Sequence, residues 1–445
     1  MNRSALLLSL LAVGIPSSAV QAQEPLTLAE AAAAALRTHP TIAGAAARTD
    51  AAQAGLDQAQ ARRLPGLQLD ASLTHFQEPM IVAPLHRFDP TDPPRFDETL
   101  VQGRLGAAYT LVDGGVRGAR IKGAGAGVVV AERMREAAEM ELLSRVATTY
   151  ASLSTASTVR DAAQAQFYAL EAEQTRANQR VETGAAARVE LLRASAALED
   201  ARAQMAAARS QVDLARRSLA LLMGVPPESI EIRPISPVTT RPTTQPQYTA
   251  SPQDRPTQTP PHIAAAARAV DAAEAAVSAE RATRLPRLDA GAALLDFGTP
   301  TGEHVLEWQA GLQLSWPVFT GGARSASLRR AEAALAEPRA DPDAARLDAR
   351  RAEDVARSAI TEADARADAL MAALTQWIEV ARIEALALEN GAGVQSDLLR
   401  AHASLFQATA GLARARSDAV VARVELARAQ GALTLDRINE QLESR

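Results

Sequence analysis

Two short stretches of the chain repeat a carboxylate and a guanidinium three residues apart: Glu190-Leu191-Leu192-Arg193 and Asp397-Leu398-Leu399-Arg400. On a helix that spacing stacks the two groups one turn apart, where they can pair with each other or with a neighbouring chain. This is ion-pairing chemistry, not catalysis. The other reactive residues are scattered. The six histidines, His39, His75, His86, His262, His304 and His402, show no HxxxH or HExxH spacing, so neither a metal centre nor a catalytic histidine cluster is expected. There is no G-x-S-x-G elbow and no paired-carboxylate cleft. The glycines between Gly123 and Gly127 lack a following Lys-Ser/Thr and read as close packing, not as a phosphate cradle. Neither enzyme activity nor a cofactor is expected, although His75, His86 and His304 fall in or near expected external loops and leave a weak metal role there open.

Composition narrows the partners. The chain has no cysteine, hence no disulfide, thiolate metal site or lipid-bearing cysteine. A net charge of −5 without a basic cluster argues against nucleic acid; Lys122 is the only lysine. Aromatics are only 3% of the chain, and the 47% hydrophobic share comes largely from alanine. Alanine is the best helix former and the smallest side chain that still packs, which suits long helices lying close together better than a round core. At the N-terminus, Arg3, the apolar run Ala5 to Ile15 and the small residues of Val20-Gln21-Ala22 read as a signal peptide over residues 1–22. No later stretch is long and apolar enough to be a transmembrane helix.

The elements that carry the two charged stretches come from a duplication. Pro40-Thr41-Ile42 through Arg63-Leu64-Pro65 reappears as Pro261-His262-Ile263 through Arg284-Leu285-Pro286, 221 residues on. Further along the offset is 207: Tyr109 to Gly115 matches Trp316 to Gly322, Gly184 matches Gly391, and Glu190 to Ala194 matches Asp397 to Ala401. The 14-residue change falls between Phe76 and Leu100, where the first copy has a longer loop. The copies occupy residues 23–223 and 261–445. Residues 224–260 form a Pro/Thr-rich connector, with Pro242, Pro246, Pro252, Pro256 and Pro260 almost evenly spaced, as in an extended segment.

Within each copy a first helix precedes two strand-like runs, a very long helix and a returning helix. The first helix opens at Thr27, with Glu30 at capping-box spacing, and is expected to run on to Arg63, where Pro65 stops it. Period-two alternation marks strands over Leu67 to Phe76, Leu100 to Leu111, Leu306 to Trp316 and, least clearly, Leu288 to Phe297. Each has about the 9 to 11 residues that a tilted membrane strand needs. They read as two isolated hairpins, and a lone hairpin is marginal in water, so they must close with partner chains. Tyr109, Trp308 and Trp316 fall toward strand ends, as interfacial aromatics do. The long helix spans about Val116 to Thr183, on the order of 100 Å. The returning helices carry heptads: Leu191, Leu198, Met205, Val212 and Leu219 with Ala194, Ala201, Ala208 and Ala215, and again Leu398, Leu405, Leu412, Ala419 and Leu426 with Ala401, Ala408, Ala415 and Ala422. Pro338 and Pro342 should kink or break the second long helix near Glu337 to Asp343.

With its export signal, duplicated helix–hairpin–coiled-coil unit, Gly-Gly turns at Leu111 to Gly115 and Val318 to Gly322, and matched tip stretches from Gly184 and Gly391, the whole mature chain resembles the TolC-like outer-membrane efflux family. The resemblance implies a mainly α fold with a minor β part. Long antiparallel coiled-coil helices form an α-barrel, and four transmembrane strands per protomer contribute to a twelve-stranded barrel in a homotrimer. It implies an outer-membrane exit channel that extends into the periplasm of a Gram-negative cell. The partners would be a periplasmic adaptor, an inner-membrane efflux pump or ABC exporter, and outer-membrane lipid. The tips Gly184, Gly391 and Gly393 would then dock the adaptor, and Glu190, Arg193, Asp397 and Arg400 would form the periplasmic gate. The family's paired acids three residues apart fall on Asp397, which matches, and Arg400, which does not, so a carboxylate–guanidinium lock would replace a double acidic ring. The family's arginine two residues after the tip glycine is Gly393 here, which removes one gate-locking contact. The alternative is a soluble periplasmic coiled-coil adaptor or scaffold.

Overall fold

The computed structural model describes residues 25–86, 89–233, 259–302 and 304–442. The expected signal peptide and the proline-rich middle of the connector lie outside these residues. The chain runs α1 (Leu28–Thr38), α2 (Pro40–Ala61), β1 (Gly66–Ile81), β2 (Phe96–Val112), α3 (Val116–Glu182), α4 (Arg188–Met223), α5 (Pro261–Ala282), β3 (Arg287–Gly298), β4 (His304–Ser315), α6 (Ala323–Ala334), α7 (Ala336–Glu389), α8 (Gln395–Ala429) and α9 (Leu435–Leu442). A single 3₁₀ turn, Pro227–Ser229, follows α4.

The capping box forms as its spacing requires: Thr27 Oγ1 accepts from Glu30 N, and Glu30 Oε2 accepts from Thr27 N. The helix it starts does not run on to Arg63. It breaks at His39, which is extended (φ −72°, ψ 128°), and α2 restarts with Pro40 in its first turn. The ring of Pro40 disfavours the helical conformation in the residue before it, which is why the break falls there. In the second copy the interruption lies at Leu335, just before the expected Glu337 to Asp343 window. Pro338 offers no N–H to the carbonyl of Ala334 four residues back, so the discontinuity appears at that carbonyl. Leu335 itself stays helical (φ −79°, ψ −20°), and Pro342 is absorbed within α7.

The four strands form one antiparallel sheet, β1-β2-β3-β4. The two hairpins are therefore not isolated: β2 pairs with β3 from Val101↔Gly298 to Val112↔Leu288, joining the copies within one chain. β1 and β2 are also longer than expected, at 16 and 17 residues. Directly opposed residues share a face, so the registers collect Leu69, Leu105, Leu294 and Trp308 on one face and Asp70, Arg104, Leu295 and Glu307 on the other. The first face is apolar up to its outer end, where His75, Thr99, Asp296 and His304 lie, and is exposed at Leu67, Leu69, Leu306, Trp308, Leu312 and Leu314.

Below the sheet the helices form a layer. Near the strands α3 lies between α2 and α5, with α6 and α7 beyond α5; farther down, α3 lies between α4 and α8, with α7 beyond α8. The 67 residues of α3 run about 100 Å. Most of the heptad positions are buried, Leu198, Ala201, Ala208, Val212 and Leu219 on α4, and Leu398, Ala401, Ala408, Leu412, Ala415 and Ala422 on α8, while Leu191, Met205, Ala215 and Leu405 are half-buried. Midway along, α1 packs on α3 and α4 with α9 against it, and the largest core forms there, around Leu28, Leu142, Val146, Leu219, Val424 and Ile438. Tyr150 reaches from α3 to the carbonyl oxygens of Leu26 and Arg233 and ties the start of the first copy to the beginning of the connector.

Candidate functional site

The hairpins α3/α4 and α7/α8 turn at matching points, and both turns depend on a glycine. Gly184 (φ 73°) and Gly391 (φ 72°) take the left-handed conformation just past the helix ends. The next amides, of Ala185 and Ala392, reach back to Arg180 O at 2.7 Å and Ala387 O at 2.9 Å. This closes the last helical turn, and a side chain at either glycine would strain it. The tips then differ. Ala186 in the first copy corresponds to Gly393 in the second. A β-carbon at Gly393 would lie 2.7 Å from Leu388 N and 2.9 Å from the carbonyl carbon of Ala387. The chain passes too close to its own helix for any side chain there, so this tip is incompatible with an arginine at the position.

Of the two carboxylate–guanidinium stretches, one pairs and one does not. Arg400 Nη1 lies 3.2 Å from Asp397 Oδ1, with the arginine 79% exposed. Among the described residues no ion pair joins Glu190 to Arg193. Glu190 instead faces Arg180 of α3 at 3.9 Å, while Arg193 points to the exposed side of α4. The difference lies in the last turns of α3, where Arg180 competes for the carboxylate.

Arg180 is spoken for by a residue that sequence reasoning passed over. Glu173 on α3 is completely buried. It accepts from Arg176 Nε (3.0 Å) and Arg180 Nη2 (3.2 Å) on its own helix, and from Gln395 Nε2 (3.1 Å) at the start of α8. A buried carboxylate is tolerable only when paired and hydrogen-bonded, and these three donors supply both. The signal for it was present. Ala156, Val159, Ala163, Gln166, Leu170, Glu173 and Ala177 are all buried on α3 at alternating spacings of three and four, so Glu173 occupies a seam position that should carry an apolar residue. One heptad beyond Gln395, His402 faces the same layer. Burial pushes its pKa down and Arg176 adds to that, partly offset by Glu173. Beside Glu173 a cavity of about 260 Å³ opens between the ends of α3 and α7, lined by Arg176, Arg180, Thr183, Leu388 and Glu389 among others.

At the sheet, Tyr109 lies near the end of β2 beneath the Arg117 guanidinium, 5.7 Å from its ring centre. Trp316 follows β4 and donates to Arg284 O. Trp308 sits four residues inside β4, not at its end, because the strand starts earlier than the alternation suggested. The structure does not gather the three loop histidines: His75 meets Thr99, His86 meets Glu307, and His304 meets Asp296.

A four-stranded sheet with one largely apolar face, continued by helices of about 80 to 100 Å that end in paired polar tips, is the protomer fold of an outer-membrane efflux channel. The chain belongs to the outer membrane efflux protein family, whose model matches residues 31–225 and 257–432. It is 30% identical over 315 residues to the alkaline protease secretion protein AprF of Pseudomonas aeruginosa, covering 68% of this chain and 64% of that protein. It is 29% identical over 282 residues to the outer membrane efflux protein BepC of Brucella suis, covering 61% and 59%. The chain thus spans a little under two thirds of the length of these curated relatives. Among solved structures, the outer membrane protein VceC of Vibrio cholerae matches with a TM-score of 0.75 at 23% identity, over 91% of this chain and 96% of VceC. CusC matches with a TM-score of 0.76 at 18% identity, over 91% and 92%. The reading as a soluble adaptor is not favoured.

Proposed function

We propose that three copies of this chain close head to tail into a passive exit duct, a barrel in the outer membrane continued by a helical tube across the periplasm. The observation that carries this is the agreement between the two layers at their open edges. The sheet ends in β1 on one side and β4 on the other. The helical layer ends in α2 and α4 on the side of β1, and in α6 and α7 on the side of β4. Each protomer therefore offers one edge from its first copy and one from its second, at the level of both sheet and helices. A contact between unlike edges builds a ring, and both helical edges carry exposed apolar residues for it: Leu192, Leu214 and Leu221 on α4, and Leu347, Val355 and Ile378 on α7. Three copies give twelve strands, enough for a barrel that four cannot form.

In this reading the apolar face of the sheet meets lipid. Trp308 and Trp316, eight residues apart, span about 20 Å along a barrel axis at a strand tilt of about 40°, close to the height of an apolar band bounded by aromatic girdles; Tyr109 joins the inner girdle. Residues 1–22 export the chain, and residues 23–223 and 261–445 are the two structural repeats, joined by 224–260. Asp397 and Arg400, with Glu190 and Arg193, line the periplasmic gate. Gly184, Gly391 and Gly393 shape the tips that receive a periplasmic adaptor, through which an inner-membrane efflux pump or ABC exporter delivers cargo. Planar-bilayer recording of the detergent-extracted protein tests the duct. Discrete, cation-sensitive steps from a species of trimer size are expected. A protein that stays soluble without detergent and never inserts would overturn the reading.

A further inference from the structure

The two copies match along their helices without a gap. Left-handed glycines mark the same places in both: Gly115 and Gly322 before the long helices, Gly184 and Gly391 at the tips, Gly224 and Gly431 after the returning ones. Each pair lies 207 residues apart, so every position of α3 has its counterpart along α6 and α7, and every position of α4 its counterpart along α8. Where α3 lies against α8 the register is constant. Glu141 meets Arg428, Ser144 meets Glu425, Thr155 meets the carbonyl oxygen of Ala413, and Glu173 meets Gln395. Each step along α3 is matched, to within one residue, by an equal step back along α8. This joint sets a long helix of the first copy against a returning helix of the second.

In a ring closed head to tail, the matching joint sets α7 of one copy against α4 of the next. Carrying the register across by 207 residues places Trp377 opposite Leu192, Val355 opposite Leu214 and Leu347 opposite Leu221, each to within one residue. All six are exposed in the single chain. Of the large apolar residues exposed on α4 only Val189 remains, and it falls opposite the half-buried Val380. Exposed apolar residues on two edges, spaced so that they meet in one register, are the mark of a contact face. The counterparts of Trp377 and Leu192 are Leu170 and Leu399, which already pack together with Leu198 and Ala201 inside the copy. The buried ion cluster is not repeated, because Glu173 and Gln395 have Val380 and Arg188 as counterparts. We propose, resting on the head-to-tail ring, that α7 packs on α4 of the next copy in the register that α3 keeps on α8. The seam is then apolar, with Trp377, Val355 and Leu347 seated on Leu192, Leu214 and Leu221 of the neighbouring copy. Near the tips the joint inside each copy is ionic and the joint between copies is not.

The chain has no cysteine, so engineered pairs report on the seam alone. A short bismaleimide spans the distance between packed helices, about 8 to 10 Å, but not a further heptad of about 10 Å along the axis. Full-length protein in membranes is treated with the reagent, sized in non-denaturing detergent and then run on denaturing gels. Leu214→Cys with Val355→Cys, and separately Leu192→Cys with Trp377→Cys, should give covalently linked trimers. Leu214→Cys with Glu362→Cys, the pair that a slip of one heptad would bring together, should link several-fold more slowly. Preferential linking of the slipped pair would overturn the register. Linking of only one in-register pair would overturn a register common to the whole seam. If no pair links in a species of trimer size, the helical seam falls while the duct stands. If no species of trimer size forms, the ring itself falls and the seam with it.

Discussion

Glu173 and Gln395 stand 222 residues apart in the chain and share a hydrogen bond of 3.1 Å with both partners buried. The bond joins the outer hairpin of the first copy to the first residue of α8, two positions before Asp397. It therefore fixes the rotation of α8 at the end where the Asp397–Arg400 pair is displayed.

Replacing Glu173 by Ala should loosen that end of the molecule. Removing one partner of a buried, charge-assisted bond costs about 1.5 to 3 kcal/mol, and Gln395 is left without its acceptor. Hydrogen exchange in the first turns of α8 should rise, with the remote core around Tyr150 unchanged. Unaltered protection at residues 395–402 would show that the bond does not hold the helix.

Arg400→Ala should behave in the opposite sense. Its pair with Asp397 is solvent-exposed and adds little to stability, so thermal unfolding should hardly move. Closed-state conductance in planar bilayers should increase, because acidic groups at the constriction lose their counter-charges. A closed state as tight as the unmodified channel's would remove the pair from the gate.

Gly393→Arg tests the tip. The β-carbon alone would strike the backbone of Leu388 and Ala387, so the turn must rearrange; Ala186→Arg at the matching place in the first tip meets no such obstacle. Limited trypsin digestion should cut the Gly393 variant near residues 390–394 far faster than the Ala186 variant. Equal rates would mean that the second tip has room to spare.

The pH dependence follows from His402. Burial and Arg176 hold its folded pKa below the ordinary value, so the folded state binds fewer protons than the unfolded one. The stability this contributes is fully present above about pH 6.5 and is lost as pH falls through that value toward the folded pKa. Melting temperature should therefore drop on acidification below about pH 6.5, and His402→Asn should remove part of that slope. An identical slope in the variant would place the titration elsewhere, His262 being the next candidate, since burial and Arg428 lower its pKa too.

The parts of this molecule legible in its sequence are those written as spacing. The repeat offsets, the heptads of α4 and α8 and the alternation in the strands all depend on periodicity, and the helices and strands fall close to where those periods put them. What periodicity cannot show is which hairpin edges meet. The pairing of β2 with β3 brings together segments some 180 residues apart, such as Thr110 and Asp289, and nothing in either strand names its neighbour. The break at His39 was legible in Pro40 but overshadowed by the alanine-rich run around it. At the tips, the Asp397–Arg400 pair was legible because both ends lie in one helix. Glu190 stands apart from Arg193 for a reason outside the motif, since it faces Arg180 on another helix. Glu173 looked like one more acid in a charged helix beside Glu171; only the seam on which it falls distinguishes it.

The open edges of β1 and β4 also bear on how the protein is made. A single newly made chain carries two unpaired strand edges and an apolar sheet face, the combination most prone to sticking to other chains. In the proposed trimer its fold is complete only in company, so its stability would depend on how many siblings are nearby. In the proposed ring, assembly then becomes a race between finding two correct neighbours and clumping, and an escorting chaperone matters most before the ring closes.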